Sequence, residues 1–244
     1  MKSLCLTGRL LYTNAWAIYY SVMKKLLLHF GRLLSFLYTT KINKVIQKIF
    51  NYIYTGWISR SFKEFDGLVE GRISINNPHC ISVGRNTVIG NNVRLWAYEK
   101  FNNQNFSPEI VIGEESAIFS DCFISAANKI VIGDRVAVTE HTIILDNIHG
   151  DFQDNHLQFS DNPDVPDVFL QNAFNRPLAS KGPVVIENDV HIGMFCTILP
   201  GTVIGHHSVI AAHSVVSRKI PPYSLVAGNP AEIILTFGRK KKTT

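Results

Sequence analysis

Residues 186–216 read IENDVHIGMFCTILPGTVIGHHSVIAAHSVV. An aliphatic β-branched residue returns at every sixth position of this stretch: Ile186, Ile192, Ile198, Ile204, Ile210 and Val216. A helix asks for apolar spacing near 3.6 and a flat strand for a spacing of two, so a strict six requires a chain that turns a corner after each short strand. Each hexapeptide then forms one face of a β-helix. The aliphatic residue points inward, its follower (Gly193, Gly205, Ala211) lets the backbone bend, and the residue four places on is inward and slim (Val190, Cys196, Thr202, Ser208, Ser214). Asn188-Asp189 and His206-His207 fall on corners, where Asn, Asp and His tolerate positive φ better than other non-glycine residues.

Working outward, the same register appears at Val83 and Ile89, at Ile112, Ile118 and Ile124, and after a two-residue slip at Ile132, Val138 and Ile144. Coils of a solenoid bury their aliphatics on one another, so several are needed and the ends must be capped. A β-sandwich fits poorly, because its strands recur at roughly 8 to 12 residues and alternate with period two.

Charge divides the chain. Residues 1–63 hold ten Lys or Arg and no Asp or Glu, a charge of +10, whereas the remaining 14 basic and 19 acidic residues sum to −5. Within the basic part, apolar residues recur at steps of three and four from Trp16 to Leu37 and again from Val45 to Ile53, which predicts two amphipathic helices with a break near Tyr38 to Lys41. The expected organisation is a basic helical extension over 1–65, a β-helix over 66–235 with a long loop at 150–182, and a basic tail over 236–244. Lys24, Lys25 and Arg32 interrupt any stretch approaching the ~18 to 20 apolar residues that cross a bilayer. A cleavable signal peptide is also poorly supported, with no short apolar core ending at a small-residue site. Basic helices rich in Leu and aromatics suit an anionic membrane surface, the inner face of the cytoplasmic membrane; they would equally suit capping of the solenoid or packing on partner subunits. No nucleic-acid motif accompanies them. The four cysteines (Cys5, Cys80, Cys122, Cys196) show no paired or metal-like spacing, which points to a reducing, cytoplasmic compartment.

Chemistry is expected where the repeat stops. After Ile144 the hexads give way to Leu145-Asp146-Asn147-Ile148-His149-Gly150-Asp151 and resume at Ile186. Loops that long in a compact domain are usually functional. This one holds Asp151, Asp154, Asp161, Asp164 and Asp167, a lining suited to hydroxyl-rich or cationic ligands and equally that of a solvated loop.

The hexads, the His149 segment before the excursion, the stretch Arg176 to Val184, the run Ile186 to Arg218 and the closing Val226-Ala227-Gly228-Asn229-Pro230-Ala231 together resemble the hexapeptide-repeat acetyltransferases. Over Ile73 to Ile234 the chain is most similar to the O-acetyltransferases of bacterial surface polysaccharide synthesis. The resemblance implies a left-handed parallel β-helix, a homotrimer, and acetyl-CoA as acyl donor between subunits. It also implies His149 as general base toward a saccharide hydroxyl. By position it places the donor near Met194 and Ala212 and near Ser217 and Arg218, with Arg218 as phosphate partner. Glu232 and Leu235 stand where relatives often carry Arg or Lys, which weakens that grip unless Arg239 and Lys240 to Lys242 replace it. Phe119 stands where relatives carry a substrate-touching Asn. Asp121 is a candidate substitute for it, and Asp146 and Asn147 are further candidate substrate contacts.

An amino-sugar acceptor would use the same base. A zinc site of the γ-class carbonic anhydrase kind would need three converging imidazoles, with His141, His149 and His191 as its only sequence support, and no metal is expected. A non-catalytic trimeric scaffold is the third alternative.

Overall fold

The computed structural model describes residues 5–35, 39–151, 157–160 and 163–237, with side chains from Tyr19 onward. Two compact units divide between Ile49 and Phe50. The first contains α1 (Cys5–Leu33) and the opening of α2 (Thr40–Ser59). Its large apolar side chains, among them Tyr19, Leu26, Phe30, Val45 and Ile49, are exposed. No helix among the described residues is long and apolar enough to cross a membrane. Leu37 and Tyr38, at the expected break, lie outside the described residues, as do the side chains of Cys5 and Trp16.

The second unit is a left-handed parallel β-helix of three faces. Face one stacks Glu64–Phe65, Ile81–Val83, Glu109–Ile112, Lys129–Ile132, Val184–Ile186 and Val203–Ile204. Face two runs from Leu68–Val69 to Val209–Ile210 and Ser224–Ala227, and face three from Ser74–Asn76 to Val215–Val216. Within this prism the register repeats like residues: Ile112 pairs with Ile132 and Ile132 with Ile186, which pairs in turn with Ile204. Every inward aliphatic from Ile186 to Val216 is fully buried, so the hexad is the core.

The slim positions are buried too, and their polar atoms are satisfied internally. Thr202 Oγ1 donates to Val216 O at 3.1 Å and Ser208 Oγ to Pro221 O at 3.0 Å. Cys122 and Cys196 fill the same slot, where burial pushes the Cys122 thiol up to about 11. Corner residues Asp189, His207 and His213 adopt φ of 61°, 58° and 60°. At Gly193 an added Cβ would lie 2.5 Å from the backbone nitrogen of Ala212, so the neighbouring coil dictates glycine there.

The ends are closed in different ways. The last turns of α2 meet the first coil through hydrogen bonds: Val69 N donates to Thr55 Oγ1 at 3.0 Å and Gly71 N to Asn51 Oδ1 at 3.1 Å. This half of the helix is a cap, satisfying backbone donors that the first coil cannot pair with a preceding one. At the other end, Glu232–Thr236 turns back antiparallel on Ser224–Ala227.

Candidate active site

A stacked solenoid tolerates insertions only at its corners, since each face needs an unbroken ladder of strands. Both long interruptions of this chain leave from the same corner, the edge where face three passes to face one. The first is a hairpin, Lys100–Phe101 against Gln104–Asn105, between Ala97 and Glu109. The second is the excursion between Leu145 and Val184.

His149 sits at the mouth of the excursion. Ile148–His149 pairs antiparallel with Leu178–Ala179, and Gly150 N donates to Pro177 O at 2.7 Å, so the loop is closed at its base. The hairpin braces this closure. Gln104 Nε2 donates to Leu178 O at 3.1 Å while Leu178 N donates to Gln104 Oε1 at 2.8 Å, a side chain acting as a third strand. Asn102 Nδ2 donates to Phe174 O at 3.3 Å. The ring of Phe101 meets the imidazole of His149 edge-on at 5.2 Å, and Tyr98 meets Phe101 at 6.4 Å. The imidazole is exposed and makes no hydrogen bond with a described residue.

Asp146 and Asn147, expected to touch substrate, serve the fold instead. The Asp146 carboxylate is fully buried and accepts from Ala127 N at 2.8 Å and from Asn128 N at 2.9 Å. Asn147 Nδ2 donates to Ser125 O at 3.1 Å and to Asp146 Oδ1 at 3.0 Å. Burial pushes the Asp146 carboxyl above its usual range, against these donors, which lower it. The pair ties the start of the excursion to the coil beneath and delivers His149 two residues later.

The remaining expected residues fall on two edges. Met194 and Ala212 lie, exposed, on the edge between faces two and three, where His213 N donates to Met194 O at 2.9 Å. Asp121 and Phe119 share that edge and not the edge of His149. Asp121 is a left-handed corner residue accepting from Asn92 Nδ2 at 2.6 Å. Ser217 and Arg218 lie on the edge of His149. The Arg218 guanidinium is already held by Glu232, with Nη2 to Oε1 at 2.6 Å and Nη1 to Oε2 at 3.2 Å. Glu232 therefore does more than fill a place that a base could hold; it neutralises Arg218 directly. Arg239 and Lys240 to Lys242 lie outside the described residues.

Within the excursion, Asp151, Gln158, Asp167 and Gln171 line a cavity of about 160 Å³. Asp167 is engaged by Ser160, which donates from its backbone N at 2.7 Å. Asp154 and Asp161 lie outside the described residues. His141, His149 and His191 do not converge within one chain. His141 stacks on Phe195 at 4.7 Å on the second edge, and His191 lies outward on face two.

The hairpin is the part of the site that the hexad reading missed. Its signal was present: the register lapses between Ala97 and Ile110, and Asn102-Asn103 marks a tight turn inside the lapse.

Comparison with known proteins agrees with this architecture. The family model described as bacterial transferase hexapeptide (six repeats) matches residues 183–218. WbbJ of Escherichia coli K12, assigned to lipopolysaccharide biosynthesis as an O-acetyl transferase, is 30% identical over 169 residues, spanning 69% of this chain and 78% of that protein. A chloramphenicol acetyltransferase of Agrobacterium fabrum is 31% identical over 144 residues, 52% of this chain and 68% of that protein. Among solved structures, the hexapeptide-repeat acetyltransferase VCA0836 of Vibrio cholerae, complexed with acetyl coenzyme A, superposes with a TM-score of 0.47 at 23% identity, covering 77% of this chain and 79% of that one.

Proposed function

This chain belongs to the bacterial hexapeptide-repeat acetyltransferases, and on that premise we propose that it moves an acetyl group from acetyl-CoA to a saccharide hydroxyl with His149 as general base. The observation that carries the reading is the placement of His149: an exposed imidazole with no hydrogen bond to a described residue, at the junction of excursion and hairpin. As the acceptor oxygen attacks the thioester carbonyl, the imidazole takes its proton; collapse of the tetrahedral adduct breaks the carbon–sulfur bond, and the imidazolium returns the proton to the leaving sulfur. The rings of Phe101 and Tyr98 beside it offer apolar faces to a sugar.

Donor positions fit in part. The Met194 and Ala212 edge is open and suits a pantetheine arm, whereas Arg218 offers a phosphate only the charge that Glu232 leaves. Because Met194 and Ala212 stand on one edge of the prism and His149 on another, one donor molecule reaches both sets only when the edge of one subunit faces the edge of a second. That requirement supports a homotrimer, and sedimentation equilibrium giving the mass of three chains would agree with it.

His149→Ala should cut turnover by ~10² to 10⁴ while calorimetry still finds acetyl-CoA binding; a variant with full activity would refute the mechanism. Hydroxyl and amino acceptors separate by product chemistry. Hydroxylamine cleaves an O-acetyl ester and spares an N-acetyl amide, so a hydroxylamine-stable product would replace the O-transfer reading with the amino-sugar one.

The basic helices support work on a polysaccharide precursor at the inner face of the cytoplasmic membrane. Exposed Leu26, Leu27 and Phe30 share α1 with Lys24, Lys25 and Arg32, a mixture suited to anionic headgroups. The full chain should co-sediment with anionic vesicles and lose that property in Lys24→Glu/Lys25→Glu/Arg32→Glu. A chain truncated at Phe65 would be a poor control, since it loses the Asn51 and Thr55 cap.

A further inference from the structure

On the edge that carries His149, two to three coils nearer the N-terminus, three unlike donors meet. His79 Nε2 lies 3.0 Å from Glu99 Oε1, and Cys80 Sγ joins them, the three donor atoms all lying within 4.8 Å of one another. Among the described residues no other group of three His, Cys, Asp or Glu side chains gathers in this way.

The two segments that supply the donors are pinned by hydrogen bonds. Asn77 enters the short turn Pro78–Cys80 with φ of 50°, its Nδ2 donating to Ala97 O at 2.8 Å, and Cys80 N donates back to Asn77 O at 3.0 Å. Glu99 follows two residues after Ala97, and its carbonyl accepts from Phe106 N at 2.8 Å, closing the base of the hairpin. The turn and the hairpin base are thus held together before any ligand arrives. Lys63, close enough to act on the Cys80 thiol, is drawn off by Glu109 at 2.9 Å.

The donor set selects the ligand. Thiolate and imidazole favour zinc-type cations, whereas calcium and magnesium demand oxygen ligands. Zinc bond lengths of about 2.0 to 2.3 Å place neighbouring ligand atoms of a tetrahedron roughly 3.5 Å apart. The histidine–glutamate pair, at 3.0 Å, lies about 0.5 Å inside that spacing, and closure on the sulfur needs a shift of about 1 Å by side chains of which His79 and Glu99 are exposed. An ordinary surface ion pair accounts for His79 and Glu99, but not for a thiol whose sulfur lies within 4.8 Å of both.

We propose that His79, Cys80 and Glu99 bind one zinc-type divalent cation, with water in the fourth position, and that the cation clasps the base of the hairpin to the solenoid. Binding displaces the Cys80 thiol proton to solvent and forms the metal–sulfur bond without a redox change. Its consequence is local: the hairpin carries Phe101 and Gln104, so the clasp sets how firmly one wall of the His149 site is held.

The test uses the full-length protein. Metal-stripped protein is titrated with cobalt(II) and its absorption recorded, and zinc is counted by mass spectrometry after incubation with zinc chloride and gel filtration. We expect a thiolate-to-cobalt charge-transfer band and one retained zinc per chain, both lost in Cys80→Ala and His79→Ala and both kept in His149→Ala. Glu99→Gln preserves shape and should bind more weakly with an unchanged circular dichroism spectrum. A wild-type protein with no thiolate band, or a Cys80→Ala variant that retains zinc like wild type, overturns the proposal. Should Cys80→Ala fail to fold, the wild-type cobalt spectrum decides alone.

Discussion

The coils from Val184 to Ala227 and the two insertions on the edge between faces three and one obey opposite rules. In the coils each side chain has one task set by its place in six: fill the core, fill the slim slot, or turn the corner. Ile192, Ile198 and Ile204 are interchangeable in kind, and each is fully buried. In the insertions no position repeats. Gln104 takes the place of a strand, Asp146 gathers backbone donors, and His149 is left exposed. Repetition makes a rigid frame because every rung supports the next. In the proposed reading chemistry enters where the repeat is broken, since an insertion can gather unlike side chains from distant segments around one point, which identical coils do not.

This contrast can be broken most sharply at its two poles. His149→Ala should cut turnover by ~10² to 10⁴ and leave the urea midpoint unchanged. Ile198→Ala should do the reverse, costing about 2 to 5 kcal/mol in chemical denaturation because the cavity has rigid rungs above and below. A His149 variant that unfolds early, or an Ile198 variant of wild-type stability, would erase the distinction.

Gln104→Ala tests whether the hairpin belongs to the site. It strips both partners from the Leu178 backbone, a loss of roughly 1 to 3 kcal/mol confined to the excursion. Limited proteolysis within 150–182 should accelerate, kcat/KM should fall by about tenfold, and the global unfolding midpoint should barely move.

Asp146 sharpens the comparison through pH. Burial raises its carboxyl above the ordinary 3.8 in the folded state. The folded chain thus holds that proton more tightly than the unfolded one, and this contribution to stability is complete below pH 3.8 and is lost as pH rises through the folded-state value. The stability of wild type relative to Asp146→Asn should therefore decline with rising pH across that interval, measured by urea denaturation. A difference that grows with pH would show that the backbone donors outweigh burial.

The smallest effect is expected at Glu232. An exposed ion pair is worth at most ~1 kcal/mol, so Glu232→Ala should tighten acetyl-CoA binding by no more than about fivefold through release of Arg218. Unchanged affinity would take Arg218 out of the donor site.

Much of this molecule was legible in one pass. The hexad is a local rule, written into each six residues and repeated, so the inward isoleucines, the slim slots and the left-handed corners were all readable from Ile186 to Val216. The roles of Asp146 and Arg218 were not, because each depends on a partner distant in sequence: Ala127 and Asn128 for one, Glu232 for the other. The edge that Asp121 occupies was not legible for a related reason, since position along the chain does not state which of three edges a corner residue takes.

By itself the sequence determined the repeat, its β-helical consequence, the break at Leu145 and the candidacy of His149. All of these follow from spacing or from a motif along a contiguous stretch. Only the tertiary structure decided that the hairpin and the excursion leave by one edge and lock through Gln104 and Leu178, that α2 caps the first coil, and that His79, Cys80 and Glu99 converge. Those are contacts between residues 14 to 74 apart in the chain, and winding a chain into stacked coils brings them together with no trace in local periodicity.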